Sequence, residues 1–239
     1  SETTIAAVVT DRAAHHKYAI QDLCLIPHYA VLDPELTVGL PPHVTSTTGM
    51  DALTHAVEAY TNLFAPKSTD KLAEDAVRLI FENLEKVYRD GSDLNARHNM
   101  QLAAFYGGAA FTRACVGYVH GVAHTLGGLY GTPHGLANAV ILPYVMEDFS
   151  SAVYKKLARL ADIVGIDGKD DAEKAKAFLQ EIRRMNRDMN IPDKFDFIQE
   201  KDIPQMIIWA MKEANPIYPV PVLWHEPEFR ALIDRIRTK

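Results

Sequence analysis

The sequence predicts a mainly α-helical protein, a multi-helical bundle preceded by a short N-terminal β stub. Three observations lead there. After Pro42, apolar residues recur at three- and four-residue spacing through most of the chain. Asp, Ser, Thr, Pro and Gly punctuate that pattern at helix-length intervals. Residues 1–40 instead carry short β-branched runs separated by turn residues. Residues 1–40 are therefore set apart as a β-rich segment, and 41–239 as the helical domain.

Taken in order, Ile5–Thr10 reads as a strand and Asp11–His16 as a turn. Lys17–Ile20, Cys24–Ile26 and Ala30–Leu32 are further short extended candidates. So little strand is not stable alone and calls for a partner. Thr45–Asn62 is the first helix, with Met50, Leu53, Val57 and Tyr60 on one stripe. Ser68 or Thr69 caps a second that reaches Arg89 and is closed by Gly91. Asp93 opens a third to Cys115. Its Ala103-Ala104 and Gly107-Gly108-Ala109-Ala110 suggest a central helix buried all round. Gly127-Gly128 is read as closing the next helix. His134–Phe149 follows, with Thr132 as N-cap, Pro133 at the first helical position and a kink at Pro143. Ser151–Val164, Ala172–Met189 and Ile203–Glu213 are amphipathic and Pro227–Thr238 is a terminal helix, giving eight or nine helices in all.

Composition narrows the function. The 239 residues carry a net charge of −6 and no Lys/Arg run, which argues against a nucleic-acid surface. No apolar run approaches the roughly 18 residues of a membrane helix. Two separated cysteines, Cys24 and Cys115, are read as buried thiols in a reducing, cytoplasmic setting.

The stretch that carries chemistry is Gly117–Asn138, which holds His120, His124 and His134. His120 and His124 share a helix face. On the first helix, Asp51 and His55 form a second i, i+4 pair among apolar neighbours, where a carboxylate needs a partner or a cation. Asp51, His55, His120 and His134 together offer one carboxylate and three imidazoles, a set suited to Fe(II), Zn or another divalent metal with a position left for substrate. The bland reading is an Asp–His hydrogen bond in the core with unrelated surface histidines. Glu58 is read as part of a helix-surface ion pair, and His15, His16, His43, His98 and His225 as loop or surface groups.

The segments Gly49-Met-Asp-Ala-Leu-Thr-His-Ala-Val-Glu-Ala-Tyr60, His120-Gly-Val-Ala-His124 and Gly131-Thr-Pro-His-Gly-Leu-Ala-Asn138 resemble the C-terminal part of the iron-containing (group III) alcohol dehydrogenases, and the likeness extends over essentially the whole chain. The resemblance implies the dehydroquinate-synthase-like helical domain and oxidation of an alcohol to an aldehyde or ketone, with hydride passed to NAD or NADP. It implies Asp51, His55, His120 and His134 as ligands of Fe(II), with Zn possible. It places His124 beside nicotinamide and substrate as a proton relay, and Lys17 on the cofactor ribose. It also implies that residues 1–40 are the remnant of a nucleotide-binding domain, with Ser1-Glu2-Thr3 as the tail of a Thr/Gly-rich segment. On that reading this portion alone is inactive and binds NAD(P) weakly or not at all. The expected partners are a small alcohol or aldehyde and a second copy of the chain, with neither nucleic acid nor membrane. Two other readings stay open. One is a Zn enzyme of the glycerol-dehydrogenase or dehydroquinate-synthase type. The other is a catalytically silent helical interaction module, in which the four ligands would not converge.

Overall fold

The protein is described by a computed structural model over residues 3–238, so the expectation for Ser1-Glu2 lies outside the described residues. The architecture is helical, as its periodicity requires. The helices are α1 (Pro42–Thr61), α2 (Lys67–Arg89), α3 (Leu94–Ala114), α4 (Tyr118–Tyr130), α5 (His134–Phe149), α6 (Tyr154–Ile163), α7 (Asp171–Asp188), α8 (Ile203–Ala214) and α9 (Glu226–Ile236). They follow a hairpin of β1 (Ala6–Asp11) and β2 (His16–Gln21), antiparallel with Val8 opposite Ala19. No helix among the described residues is long and apolar enough to cross a membrane.

Several boundaries differ from the sequence reading for physical reasons. Helix α1 begins at Pro42, a turn before Thr45, because Pro in a first turn gives up an N–H that would have no partner anyway. Helix α2 begins at Lys67, and neither Ser68 nor Thr69 is its N-cap; the Thr69 hydroxyl instead donates to Pro66 O at 2.7 Å. Asp93 caps α3 as expected, accepting from Ala96 N. Helix α5 begins at His134 with Pro133 as N-cap, so Thr132 does not cap it, and it runs on through Pro143. The candidates Cys24–Ile26 and Ala30–Leu32 are not strands. The first is mostly a 3-10 turn at Leu23–Leu25, nucleated by the Asp22 carboxylate accepting from Cys24 N at 2.8 Å. Cys24 is exposed and Cys115 half-buried, so neither is the core thiol that its neighbours suggested.

Helix α3 is not buried all round, whereas α4 and α5 are more fully enclosed. Tyr118–Leu126 and most of His134–Phe149 are buried, whereas α3 buries one stripe. The small residues of α3 serve close approach on that stripe: a Cβ at Gly107 would stand 3.0 Å from Ala52 O on α1. Gly127 and Gly128 do not end α4, which continues to Tyr130 and closes at Gly131 in the left-handed conformation (φ 65°). The glycine pair is where the hairpin lands. A Cβ at Gly128 would lie 2.4 Å from His15 O, and one at Gly127 would lie 3.2 Å from Lys17 Cδ. The other end of α4 is tied to the C-terminal segment. The Tyr118 hydroxyl donates to Asn215 Oδ1 (2.8 Å) and accepts from Trp224 N (3.0 Å), and its ring stacks on Trp224. These contacts set α8 beside α4.

Candidate metal centre

Three helices deliver the polar groups. Asp51 and His55 lie one turn apart on α1, His120 and His124 one turn apart on α4, and His134 and Asn138 one turn apart at the start of α5. Asp51 Oδ1 lies 3.8 Å from His55 Nε2, 3.8 Å from His120 Nε2 and 3.6 Å from His134 Nε2. The ligand atoms of these four residues all fall within 4.8 Å of one another. Close packing allows it: a Cβ at Gly135 would stand 2.3 Å from Thr47 O on α1, so α5 can approach α1 this closely only with glycine there.

The amide of Asn138 displays the polarity of the site. Its Nδ2 donates to Asp51 Oδ1 at 2.6 Å and lies 3.1 and 3.2 Å from Nε2 of His120 and His134. Lone pairs from three side chains thus converge on one positive pole, as they would on a cation. His134 Nδ1 and Asn138 Oδ1 are buried without hydrogen-bond partners among the described residues. Burial, reinforced by His55, His134 and His124, holds His120 well below the usual histidine range. Burial also brings His134 down to about 4, against the opposing pull of Asp51. Both imidazoles are therefore neutral at pH 7 and available as ligands. An oxygen-and-imidazole donor set of this kind fits Fe(II) or Zn.

Behind the ligands stands Glu58, which is 1% exposed and not part of a surface ion pair. Its Oε2 lies 2.6 Å from His120 Nδ1, and its Oε1 accepts from Val119 N at 2.8 Å. Burial pushes its carboxyl up to about 8, while the N–H groups of Gly117, Val119 and His120 pull the other way. A carboxyl group in contact with the far nitrogen of a metal-facing imidazole orients the ring. His124 has the same arrangement: its Nδ1 lies 2.7 Å from Glu213 Oε1, and Tyr218 donates to that oxygen at 2.9 Å. Sequence reasoning missed Glu58, Asn138, Glu213 and Tyr218. The first two carried a signal, since Glu58 continues the Asp51–His55 stripe and Asn138 is one turn from His134. Glu213 lies far along the chain from His124 and has no local signal.

The four ligand candidates and His124 line one cavity of about 220 Å³, with Ile5, Val8, Phe111 and Val116 as apolar walls. Lys17 crosses α4 at Gly127. Burial lowers its ammonium pKa, and Asp51 and Glu213 oppose that shift. His16, expected at the surface, stacks on Trp209 at 4.6 Å between ring centroids; His15, His43, His98 and His225 are exposed.

Residues 45–234 match the model of the Fe-containing alcohol dehydrogenase family, C-terminal part. The chain belongs to that family. Alcohol dehydrogenase 4 of Schizosaccharomyces pombe is 43% identical over 92% of this chain and 53% of its own length. The 1,3-propanediol dehydrogenase of Klebsiella pneumoniae is 42% identical over 90% and 57%. Among solved structures, a 1,3-propanediol oxidoreductase superposes with a TM-score of 0.91 at 38% identity, covering 98% of this chain and 62% of that one. An alcohol dehydrogenase from Oenococcus oeni gives a TM-score of 0.92 at 31% identity and the same coverage. The chain spans about half the length of the curated relatives it matches. Its four ligand candidates converge, which an interaction module with scattered histidines would not require.

Proposed function

We propose that this chain supplies the metal- and substrate-binding part of a metal-dependent alcohol dehydrogenase, with Asp51, His55, His120 and His134 holding Fe(II). The observation that carries the reading is the convergence of one carboxylate and three imidazole nitrogens within 4.8 Å. When bound there, a divalent metal supplies Lewis-acid polarisation of an alcohol or carbonyl oxygen. The chain's own residues do the rest. Glu58, in contact with His120 Nδ1, holds that ring in register. Ile5, Val8, Phe111 and Val116 limit water around the reacting carbon. His124, with Nδ1 committed to Glu213, offers Nε2 as the acceptor for a hydroxyl proton. Lys17 supplies a positive charge at the rim, suited to the ribose side of a dinucleotide, and hydride transfer to nicotinamide is the dinucleotide's chemistry.

Relatives named for 1,3-propanediol, butanol and methanol favour a small alcohol as substrate. One of them is named as NADPH-dependent and another as NAD-dependent, and either dinucleotide is compatible with Lys17. The test is reconstitution with Fe(II) under anaerobic conditions, or with Zn, followed by elemental analysis. A full equivalent of either metal supports the centre, and the preference between them selects iron or zinc. Failure to take up any divalent metal overturns it.

A further inference from the structure

Glu213 belongs to no ligand set, yet it touches the one histidine of the cavity that is not a ligand candidate. We propose that Glu213 is a positioning residue for His124: by accepting the Nδ1 proton, it fixes the imidazole in the tautomer whose bare Nε2 is left to the cavity, ready to accept from the hydroxyl of a small alcohol or a water. The inference rests on the reading of that cavity as the alcohol site.

The geometry has three parts. His124 is 3% exposed, and its Nδ1 lies 2.7 Å from Glu213 Oε1. An ionised carboxylate only accepts, so Nδ1 must carry the hydrogen; the other tautomer would set a lone pair against the carboxylate. Tyr218, 4% exposed, donates its hydroxyl to the same Oε1 at 2.9 Å and so restrains that oxygen as well. Burial, with Glu213 nearby, holds the Tyr218 phenol well above its ordinary pKa, so it stays a donor. Finally, the backbone that carries Glu213 is anchored to α4 two residues later, where Asn215 receives the Tyr118 hydroxyl. The acceptor and the ring it orients therefore share one rigid corner. The other neighbours of His124 do not compete for Nδ1. His134 stacks on its ring at 5.2 Å, and His120 meets it edge-on at 6.2 Å.

The same Glu213 and Tyr218 also line a second cavity of about 550 Å³, between β2 and α8, with His16, Tyr18 and Trp209. Glu213 thus lines the second cavity while touching His124, which lines the first.

The test is nitrogen-proton correlation spectroscopy of the full chain with ¹⁵N-histidine, the His124 signals being assigned by their loss in His124→Asn. The wild-type protein is expected to show His124 as a single tautomer protonated at Nδ1. Glu213→Gln can present either its carbonyl or its amide to Nδ1, so it should give a mixture with at least a several-fold rise in the Nε2–H form. Tyr218→Phe should keep the Nδ1–H tautomer, because the carboxylate remains. A wild-type His124 protonated at Nε2 overturns the proposal without any variant, and so does an unchanged tautomer in Glu213→Gln. Titrating Zn into the same sample separates the two levels of argument. If the signals of His55, His120 and His134 do not respond, the metal reading fails, while the tautomer result stands on its own.

Discussion

Glu58 Oε2 and His120 Nδ1 lie 2.6 Å apart in the interior, on α1 and α4 respectively. This pair ties the helix that carries Asp51 and His55 to the helix that carries His120. Replacing Glu58 by Gln keeps the volume but cannot accept from both His120 Nδ1–H and Val119 N–H with equal geometry. Metal affinity should fall by about 10- to 100-fold, as for other partners of metal-bound histidines. Competition against a chelator of known affinity measures it. Glu58→Ala leaves two buried donors without partners and should cost roughly 2–5 kcal/mol of stability by urea unfolding.

Gly135 sets the approach of α5 to α1. A methyl there would stand 2.3 Å from Thr47 O, a backbone atom, and 3.3 Å from Asp51 Cβ. Gly135→Ala should therefore displace the start of α5 and carry His134 away from Asp51. We expect a loss of about 1–3 kcal/mol from overpacking, together with weakened metal binding. Equal metal affinity in Gly135→Ala would show that the inter-helix spacing does not set the site.

The depressed histidines make the metal-free fold acid-sensitive. His134 titrates near 4 in the fold against 6.5 in the unfolded chain, so the unfolded state binds the extra proton between those values. The neutral form's contribution is complete above about 6.5 and is lost as pH falls towards 4. At about 1.4 kcal/mol per pKa unit, this one group accounts for roughly 3 kcal/mol. His120 acts in the same sense, whereas Glu58, raised to about 8, favours the fold at lower pH. In the presence of a chelator, His134→Asn should flatten the rise in unfolding free energy between pH 4 and 6.5. An unchanged slope would show that His134 is not held neutral by its surroundings.

Much of this was readable in the chain itself, for identifiable reasons. Helical periodicity and the i, i+4 pairs Asp51–His55 and His120–His124 are local, and local spacing survives into the fold. The ligand candidates lie within 4.8 Å of one another. The reading of Glu58 as a surface charge failed because its partners, Val119 N and His120, lie about sixty residues away, and burial on both sides of α1 is a tertiary property. The small residues of α3 misled for a related reason. They mark where one stripe meets α1 rather than burial all round, and the more fully enclosed α4 and α5 carry His120, His124 and His134. Gly127-Gly128 looked like a helix stop, but the pair is the surface on which Lys17 and the hairpin rest.

The most direct test of the account is the metal content of the wild-type chain beside Asp51→Ala and His134→Ala, each reconstituted with Fe(II) or Zn, desalted and assayed by elemental analysis, with circular dichroism to show that the helices persist. The account predicts a full equivalent in the wild type and none in either variant. A full equivalent retained by both variants, or none taken up by the wild type, would contradict it.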